Sequence, residues 1–282
     1  MNSKNELYLT CEDYTVSNKK FDLLYNPALE MLETYPQPKG VELASYYESS
    51  DYISHTDSKE TIVDKLYQFV KSIALKNKLS LLNSFKTSEK NILDIGCGTG
   101  DFLQTCKNNS WNVVGVEPNK NARNLAETKL STKIYEDLDQ LSNQQFDCIS
   151  MWHVLEHVPD LDLYISKLKS LLKQNGVLIV AVPNYKSYDA QYYKQFWAAY
   201  DVPRHLWHFS KKSIELLFSK NKMSVVKILP MKFDSFYVSL LSEKYKTGNT
   251  NFLKAFYVGF VSNLKAMNSK QYSSLIYVLK ND

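Results

Sequence analysis

Three of the chain's eight glycines fall within five residues, at Gly96, Gly98 and Gly100. A glycine-poor chain that clusters them is using them for backbone geometry. They follow the apolar run Ile92-Leu93-Asp94-Ile95 and precede a helix-like stretch over 101–108. A buried strand that ends in a glycine turn and opens a helix begins a ligand-binding α/β sheet. The glycines let a ligand come close to the backbone, and the helix N-terminus offers free N–H groups.

The downstream pattern repeats that unit. Asn112–Val116 reads as a second strand, 120–129 as a helix and Thr132–Tyr135 as a weak third strand. Phe146–Met151 is a fourth strand, followed by helical residues to about His157. Asp160 caps a helix to about Leu172, and Asn175-Gly176 turns into a fifth strand, Val177–Val182. Ser210 caps a helix to Ser219, and Val225–Leu229 and Ser274–Leu279 are the last strands. Between those two strands, 230–270 reads as helical, with Phe252, Phe256, Phe260 and Leu264 among its apolar marks. Strands alternating with helices imply a parallel sheet covered on both faces. Upstream, Ile62, Leu66, Phe69, Val70 and Ile73 have helical spacing, and the helical pattern runs to about Phe85.

These elements divide the chain into an N-terminal extension, 1–60, and a main domain, 61–282. Within the main domain lie a core at about 88–184, an aromatic segment at about 185–209 and a helical insertion at about 230–270. The 282 residues are 44% apolar and 23% charged, which excludes a chain disordered throughout. A net charge of +4 is too small to argue for nucleic acid or an anionic membrane surface. No apolar run reaches about 18 residues and no leader pattern opens the chain, so a cytoplasmic protein without membrane contact is expected. Cys11, Cys97, Cys106 and Cys148 form no C-x-x-C pair and read as free or buried thiols.

Charge decides which ligand the glycine turn suits. Glu117, at the end of the second strand, can accept both hydroxyls of a ribose. A dinucleotide fingerprint needs a further glycine where this chain has Asp101. Asp94 stands just before the turn, and two carboxylates there repel a pyrophosphate but suit a ligand with an ammonium group. S-adenosylmethionine is such a ligand, and a nicotinamide-dependent dehydrogenase is disfavoured.

On these residues the chain resembles the class I S-adenosylmethionine-dependent methyltransferases. Ile92–Gly100 resembles their first motif and Val113–Asn119 their acidic second-strand motif. Phe146–Asp160 resembles the fourth-strand segment and Leu171–Asn184 the fifth. The likeness covers about residues 88–230, and the chain is similar to the bacterial ubiquinone-biosynthesis O-methyltransferase group. The resemblance implies a Rossmann-like sheet of seven strands, ordered 3-2-1-4-5-7-6 with the last antiparallel. It implies that Gly96, Cys97 and Gly98 line the methionine moiety and that Asp94 orients its ammonium. Glu117 holds the ribose and Pro118 flanks the adenine. Asp137 and Leu138 meet the adenine edge, and Met151 or Trp152 touches the methionine part. The product is S-adenosylhomocysteine. The acceptor is a small molecule, unidentified, methylated at oxygen.

His153, Glu156 and His157 are spaced to share one helix face. Metal-assisted relatives carry an extra upstream glutamate there, where this chain has His153, and no metal is expected. Pro203–Ser210 resembles a signature that lies over the acceptor pocket. His205 is the expected base, in a pocket bounded by His153, Tyr200 and Trp207 with aromatic walls from 185–200. Some relatives begin with a cysteine zinc ribbon, whereas here Cys11 stands alone and the ribbon has lost its metal. Tyr46, Tyr47, Tyr52 and His55 are expected to close over the cofactor. The other readings are a cofactor-binding protein without turnover and a metal-assisted O-methyltransferase.

Overall fold

The computed structural model describes residues 5–47, 62–87 and 89–282. Tyr52 and His55 lie outside them. The extension opens with an antiparallel meander, β1 (Glu6–Glu12), β2 (Lys20–Asn26) and β3 (Met31–Tyr35), followed by a short helix α1 (Gly40–Ser45). Period-two burial drives it: Phe21 and Leu23 of β2 point inward while their neighbours do not. Asp13 closes the β1–β2 turn, accepting from the backbone N–H groups of Thr15, Val16 and Ser17 and from two hydroxyls. Cys11 is buried beside that turn, and burial pushes its thiol up to about 12. All four cysteines are free and buried, as expected.

The long helix α2 (Ile62–Asn83) leads into the central sheet. In chain order follow β4 (Asn91–Ile95), α3 (Asp101–Lys107), β5 (Asn112–Val116), α4 (Lys120–Leu130), β6 (Phe146–Trp152), α5 (Leu161–Leu171) and β7 (Leu172–Pro183). Then come α6 (Tyr188–Tyr193), β8 (Trp207–His208), α7 (Lys211–Ser219), β9 (Met223–Met231), α8 (Asp234–Thr247), α9 (Phe252–Ser269) and β10 (Ser274–Asn281). Asp160 and Ser210 cap α5 and α7 as their sequence positions suggest, each accepting a backbone N–H from its first turn.

The sheet order is β5-β4-β6-β7-β10-β9. The first four strands are parallel, and β10 runs antiparallel to both its neighbours. This is the expected Rossmann-like α/β order with one correction. The third strand is reduced to a single bridge between Tyr135 and Val116 at the edge, so six strands form rather than seven. Val177–Val182 of β7 is buried on both faces, as helices covering both sides require.

The described part of the N-terminal extension shares a core with the main domain. β8 pairs with β3 and completes a four-stranded sheet with the meander. Phe21, Leu23 and Leu32 share one apolar cluster with Tyr185, Tyr193, Trp197 and Tyr200. The aromatic segment was expected to wall an acceptor pocket. Its largest rings are instead core, buried between the N-terminal sheet and the α8–α9 hairpin.

One buried carboxylate pins that segment. Asp189 is fully buried and accepts from Trp197 Nε1 at 2.8 Å, Ser262 Oγ at 2.7 Å and Ser273 Oγ at 2.6 Å. It thereby joins α6, α9 and the start of β10. Asp189→Ala leaves three buried donors without an acceptor. We expect it to cost roughly 3 kcal/mol or more in urea unfolding, and Asp189→Asn to cost less.

Candidate functional site

The glycine turn is bound to the end of β5. Gly96 and Cys97 both donate backbone N–H to the Val116 carbonyl, at 2.8 and 3.1 Å. Gly98 N–H donates to Glu117 Oε2 and Asn119 N–H to Glu117 Oε1, each at 2.9 Å. Gly96, Gly98 and Gly100 all have positive φ, and a Cβ at Gly96 would lie 2.4 Å from Val154 Cγ2. Glu117 is 7% exposed. Burial raises its carboxyl against the two N–H groups that lower it. Each of its oxygens retains a second lone pair for a ligand hydroxyl.

Asp94, on β4, is buried and accepts from Ser150 Oγ at 2.5 Å. Burial pushes its carboxyl up to about 7, with Ser150 and Lys78 pulling it back. Lys78 reaches in from α2, its Nζ 4.2 Å from the centroid of the Trp152 ring. Burial lowers the Lys78 ammonium, while Asp94 and Asp234 raise it. Of the two residues expected at the end of β6, Trp152 is half-buried beside Lys78. Its ring meets Phe102 edge-on, and its Nε1 has no acceptor among the described residues. Met151 is fully buried in the main core. Asp94, Cys97, Glu117 and Trp152 thus gather at the C-terminal ends of β4, β5 and β6, where open α/β sheets bind ligands. Pro118 is exposed beside them. Asp137 caps the 3-10 turn that begins at Leu138, accepting from Asp139 and Gln140 N–H.

The histidine group differs from its expected geometry. Only Leu155–His157 forms a 3-10 turn, and His153 precedes it at φ 58°, so the three residues share no helix face. His153 instead lies between two carboxylates, with Nε2 3.1 Å from Asp234 Oδ2 and Nδ1 3.4 Å from Glu156 Oε1. Burial opposes its charge, but both carboxylates favour it and push the imidazole up to about 10. The two carboxylates therefore favour the charged form of His153. Tyr200 is a second correction. It is buried in the aromatic core, edge-on to Trp197 and His208, and burial holds its hydroxyl well above the usual tyrosine range.

His205 is buried, with Nδ1 2.9 Å from the Ala199 carbonyl. His157 Nδ1 lies 3.1 Å from the Arg204 carbonyl and 2.9 Å from the Tyr47 hydroxyl. A carbonyl only accepts, so these contacts favour the Nδ1–H tautomer, and His205 Nε2 lies 3.8 Å from Asp201 Oδ2. Burial and the neighbouring His205 push His157 down to about 4. The two rings meet edge-on, 4.6 Å apart. Glu156 is 1% exposed, and neither carboxylate oxygen has a hydrogen-bond donor among the described residues. Ligand-type atoms of Glu156, His157 and His205 lie within 4.8 Å of one another.

The N-terminal sheet holds this group in place. Thr34 Oγ1 donates to the His205 carbonyl at 2.6 Å, and Thr34 N–H donates to the Leu206 carbonyl at 3.0 Å. A bidentate Arg204–Asp201 pair fixes the turn between them. Trp207 Nε1 donates to the Val158 carbonyl. Sequence reasoning missed Lys78, Thr34 and Asp234. Only Lys78 carried a signal, as a lysine within an otherwise apolar helix repeat.

A family model described as a methyltransferase domain matches residues 65–228, more than half of the chain. The ubiquinone biosynthesis O-methyltransferase of Pelagibacter ubique strain HTCC1062 is 29% identical over 174 residues, 56% of this chain and 69% of that protein. The protein of the same name from Rhodopseudomonas palustris strain TIE-1 is 30% identical over 104 residues, 33% of this chain and only 40% of that one. Magnesium protoporphyrin IX methyltransferase from Synechocystis PCC 6803, solved with bound S-adenosylhomocysteine, superimposes with a TM-score of 0.57 at 16% identity, covering 86% of this chain and all of that one. At that identity the structural likeness establishes the fold.

The clash at Gly96 makes the turn testable. Gly96→Ala adds a side chain to a left-handed backbone and overpacks Val154, which together cost roughly 2–4 kcal/mol in thermal or urea unfolding. Val154→Ala in the same chain removes the clashing methyl. It should restore about half of that loss, leaving the backbone strain.

Proposed function

The chain belongs to the methyltransferase-domain family, and we propose that it uses S-adenosylmethionine to methylate an oxygen of a small hydroxylated acceptor. The observation that carries the oxygen assignment is His205, a buried imidazole whose Nδ1 is held on the Ala199 carbonyl, so that its Nε2 keeps a lone pair. A hydroxyl must lose its proton as it attacks, and such a lone pair takes it. The two relatives named as O-methyltransferases support the same reading.

The cofactor fits the residues present. Glu117 has lone pairs for a ribose diol, and the cradle at Gly96 and Gly98 admits a ligand against bare backbone. Asp94 would meet the ammonium of an amino-acid end, and Lys78, beside the Trp152 ring, its carboxylate. The cofactor would supply an electrophilic methyl group, whose carbon bonds to the acceptor oxygen as the C–S electron pair returns to sulfur. The leaving group is already activated, so the protein contributes orientation and exclusion of water. His205 receives the hydroxyl proton at Nε2. Its Nδ1–H, held on the Ala199 carbonyl, keeps the ring aimed. His153, its charged form favoured by Asp234 and Glu156, balances the buried Glu156 charge.

A second reading rests on Glu156. A buried carboxylate whose nearest partner is His153 at 3.4 Å, beside the imidazoles of His157 and His205, is the donor set of a divalent cation site. Glu156, His157 and His205 would hold the ion, which would make the acceptor hydroxyl more acidic.

Two measurements test these roles. Hydroxylated acceptors are screened by conversion to S-adenosylhomocysteine, and His205→Ala is then compared with the parent chain. Turnover should fall about 100-fold or more while cofactor affinity stays nearly unchanged. Activity that survives chelation by EDTA supports the imidazole base. Activity lost to EDTA and restored by a divalent ion supports the metal-assisted reading.

Asp94 makes binding pH-dependent. Its carboxyl in the folded protein titrates near 7, above the unfolded value, so below that pH it is largely neutral and meets an ammonium poorly. Affinity for S-adenosylhomocysteine by calorimetry should rise roughly tenfold from about pH 6 to about pH 7.5 and then level off. Asp94→Asn should flatten the profile. A profile equally steep in the variant would assign the titration elsewhere.

A further inference from the structure

Helix α9 is inverted relative to an ordinary surface helix. The face it buries is made of small residues, Ala255, Gly259, Ser262 and Ala266, with Val258. Gly259 permits this packing: a Cβ there would lie 3.0 Å from the backbone of Phe236 on α8. The face it shows to solvent carries Phe252, Leu253, Phe256, Tyr257, Phe260 and Leu264, each 48–86% exposed. At 3.6 residues per turn these side chains fall on one arc of about 140°. A single exposed leucine needs no explanation, but a contiguous aromatic stripe marks an interaction surface.

The charge around the stripe is one-sided. Residues 232–270 hold six lysines against Asp234 and Glu243, a net charge of +4 that equals the formal excess of the whole chain. Glu243 is buried and pairs with Lys254, and Asp234 is paired with His153, so the other five lysines meet neither acid. α9 itself contains no acidic residue. Lys265 and Lys254 mark one border of the stripe, over the Tyr188 ring and beside Glu243. Lys270 follows the C-terminal end.

We propose that the α8–α9 hairpin docks on an anionic lipid surface, with the aromatic stripe of α9 lying in the plane of the interface. Aromatic and aliphatic side chains enter the boundary between headgroups and acyl chains, while flanking lysines meet the lipid phosphates. No described helix is long and apolar enough to cross a membrane, so the contact is peripheral. A second copy of this chain fits the face less well. A two-fold contact would set the same lysine-rich border against itself, and like charges would oppose it. The proposal revises the absence of membrane contact expected from net charge, because the surplus is concentrated beside one apolar face. It stands apart from the methyl-transfer reading, since neither the stripe nor the lysines beside it are assigned to the site.

The test is sedimentation of the full chain with vesicles of phosphatidylcholine alone or with phosphatidylglycerol added. Binding to the anionic vesicles should exceed binding to the neutral ones roughly tenfold or more and weaken with salt. Leu253→Ser with Tyr257→Ser, both on the exposed arc, should lower it by a similar factor at an unchanged melting temperature. Lys244→Glu with Lys270→Glu should abolish the preference for anionic vesicles by a separate route. Wild-type protein left in the supernatant with both vesicles overturns the proposal, as does unchanged binding by both double variants. A dimer in solution that the serine substitutions dissociate, with no vesicle binding, places a second copy on this face and overturns it too.

Discussion

Two backbone N–H groups on one carbonyl, and two more on one carboxylate, hold the site together. Val116 and Glu117 tie the turn at Gly96–Gly98 to the end of β5. The turn can close only because its glycines adopt positive φ and Val154 occupies the space a side chain would need. Glu117 is therefore a strut, and in the proposed function also a ligand group. Its oxygens are aimed by Gly98 and Asn119 before any ligand arrives, which lowers the ordering cost of binding.

Charge is distributed unequally around that turn. Asp94 and Glu117 give the cofactor side a negative character that burial partly suppresses, since both carboxyls are raised. Lys78 offsets it from α2, supported by the face of Trp152. On the acceptor side, His153 and Glu156 favour each other's charged forms, while Glu156, His157 and His205 form a compact group. Asp234 connects the two sides, bonded to His153 and facing Lys78. A buried network of this kind contributes little net stability but keeps each member in one orientation.

The N-terminal meander is part of the site's support. Through Thr34 it holds the backbone at His205 and Leu206, and through Phe21, Leu23 and Leu32 it shares the aromatic core of 185–200. Those aromatics place the acceptor-side loop by packing, with Asp189 as their buried anchor. The same arrangement sets the α8–α9 hairpin outside the core. Its small residues face inward, so its large ones lie toward solvent, with Phe256 stacked on Phe236 of α8.

The strand, glycine turn and helix around Gly96, and the acid at Glu117, were legible in the sequence because the information is local. Consecutive residues form a strand, need positive φ and then begin a helix, and few alternatives satisfy all three. The order of the central strands followed from the family resemblance, apart from the edge strand at Tyr135, where a single bridge remains. Pattern alone did not reveal which face of α9 is buried. Phe252, Phe256, Phe260 and Leu264 have helical spacing whether they face a core or solvent, and only packing of Gly259 against α8 decided it. Nor could spacing place His153, because the helix it assumed is a 3-10 turn and His153 lies before it. Lys78 beside Asp94, Thr34 beneath His205 and Asp234 on His153 were decided by tertiary structure alone. Each joins segments far apart in the chain, and such contacts exist only once burial has made an unpaired charge or donor too costly to leave.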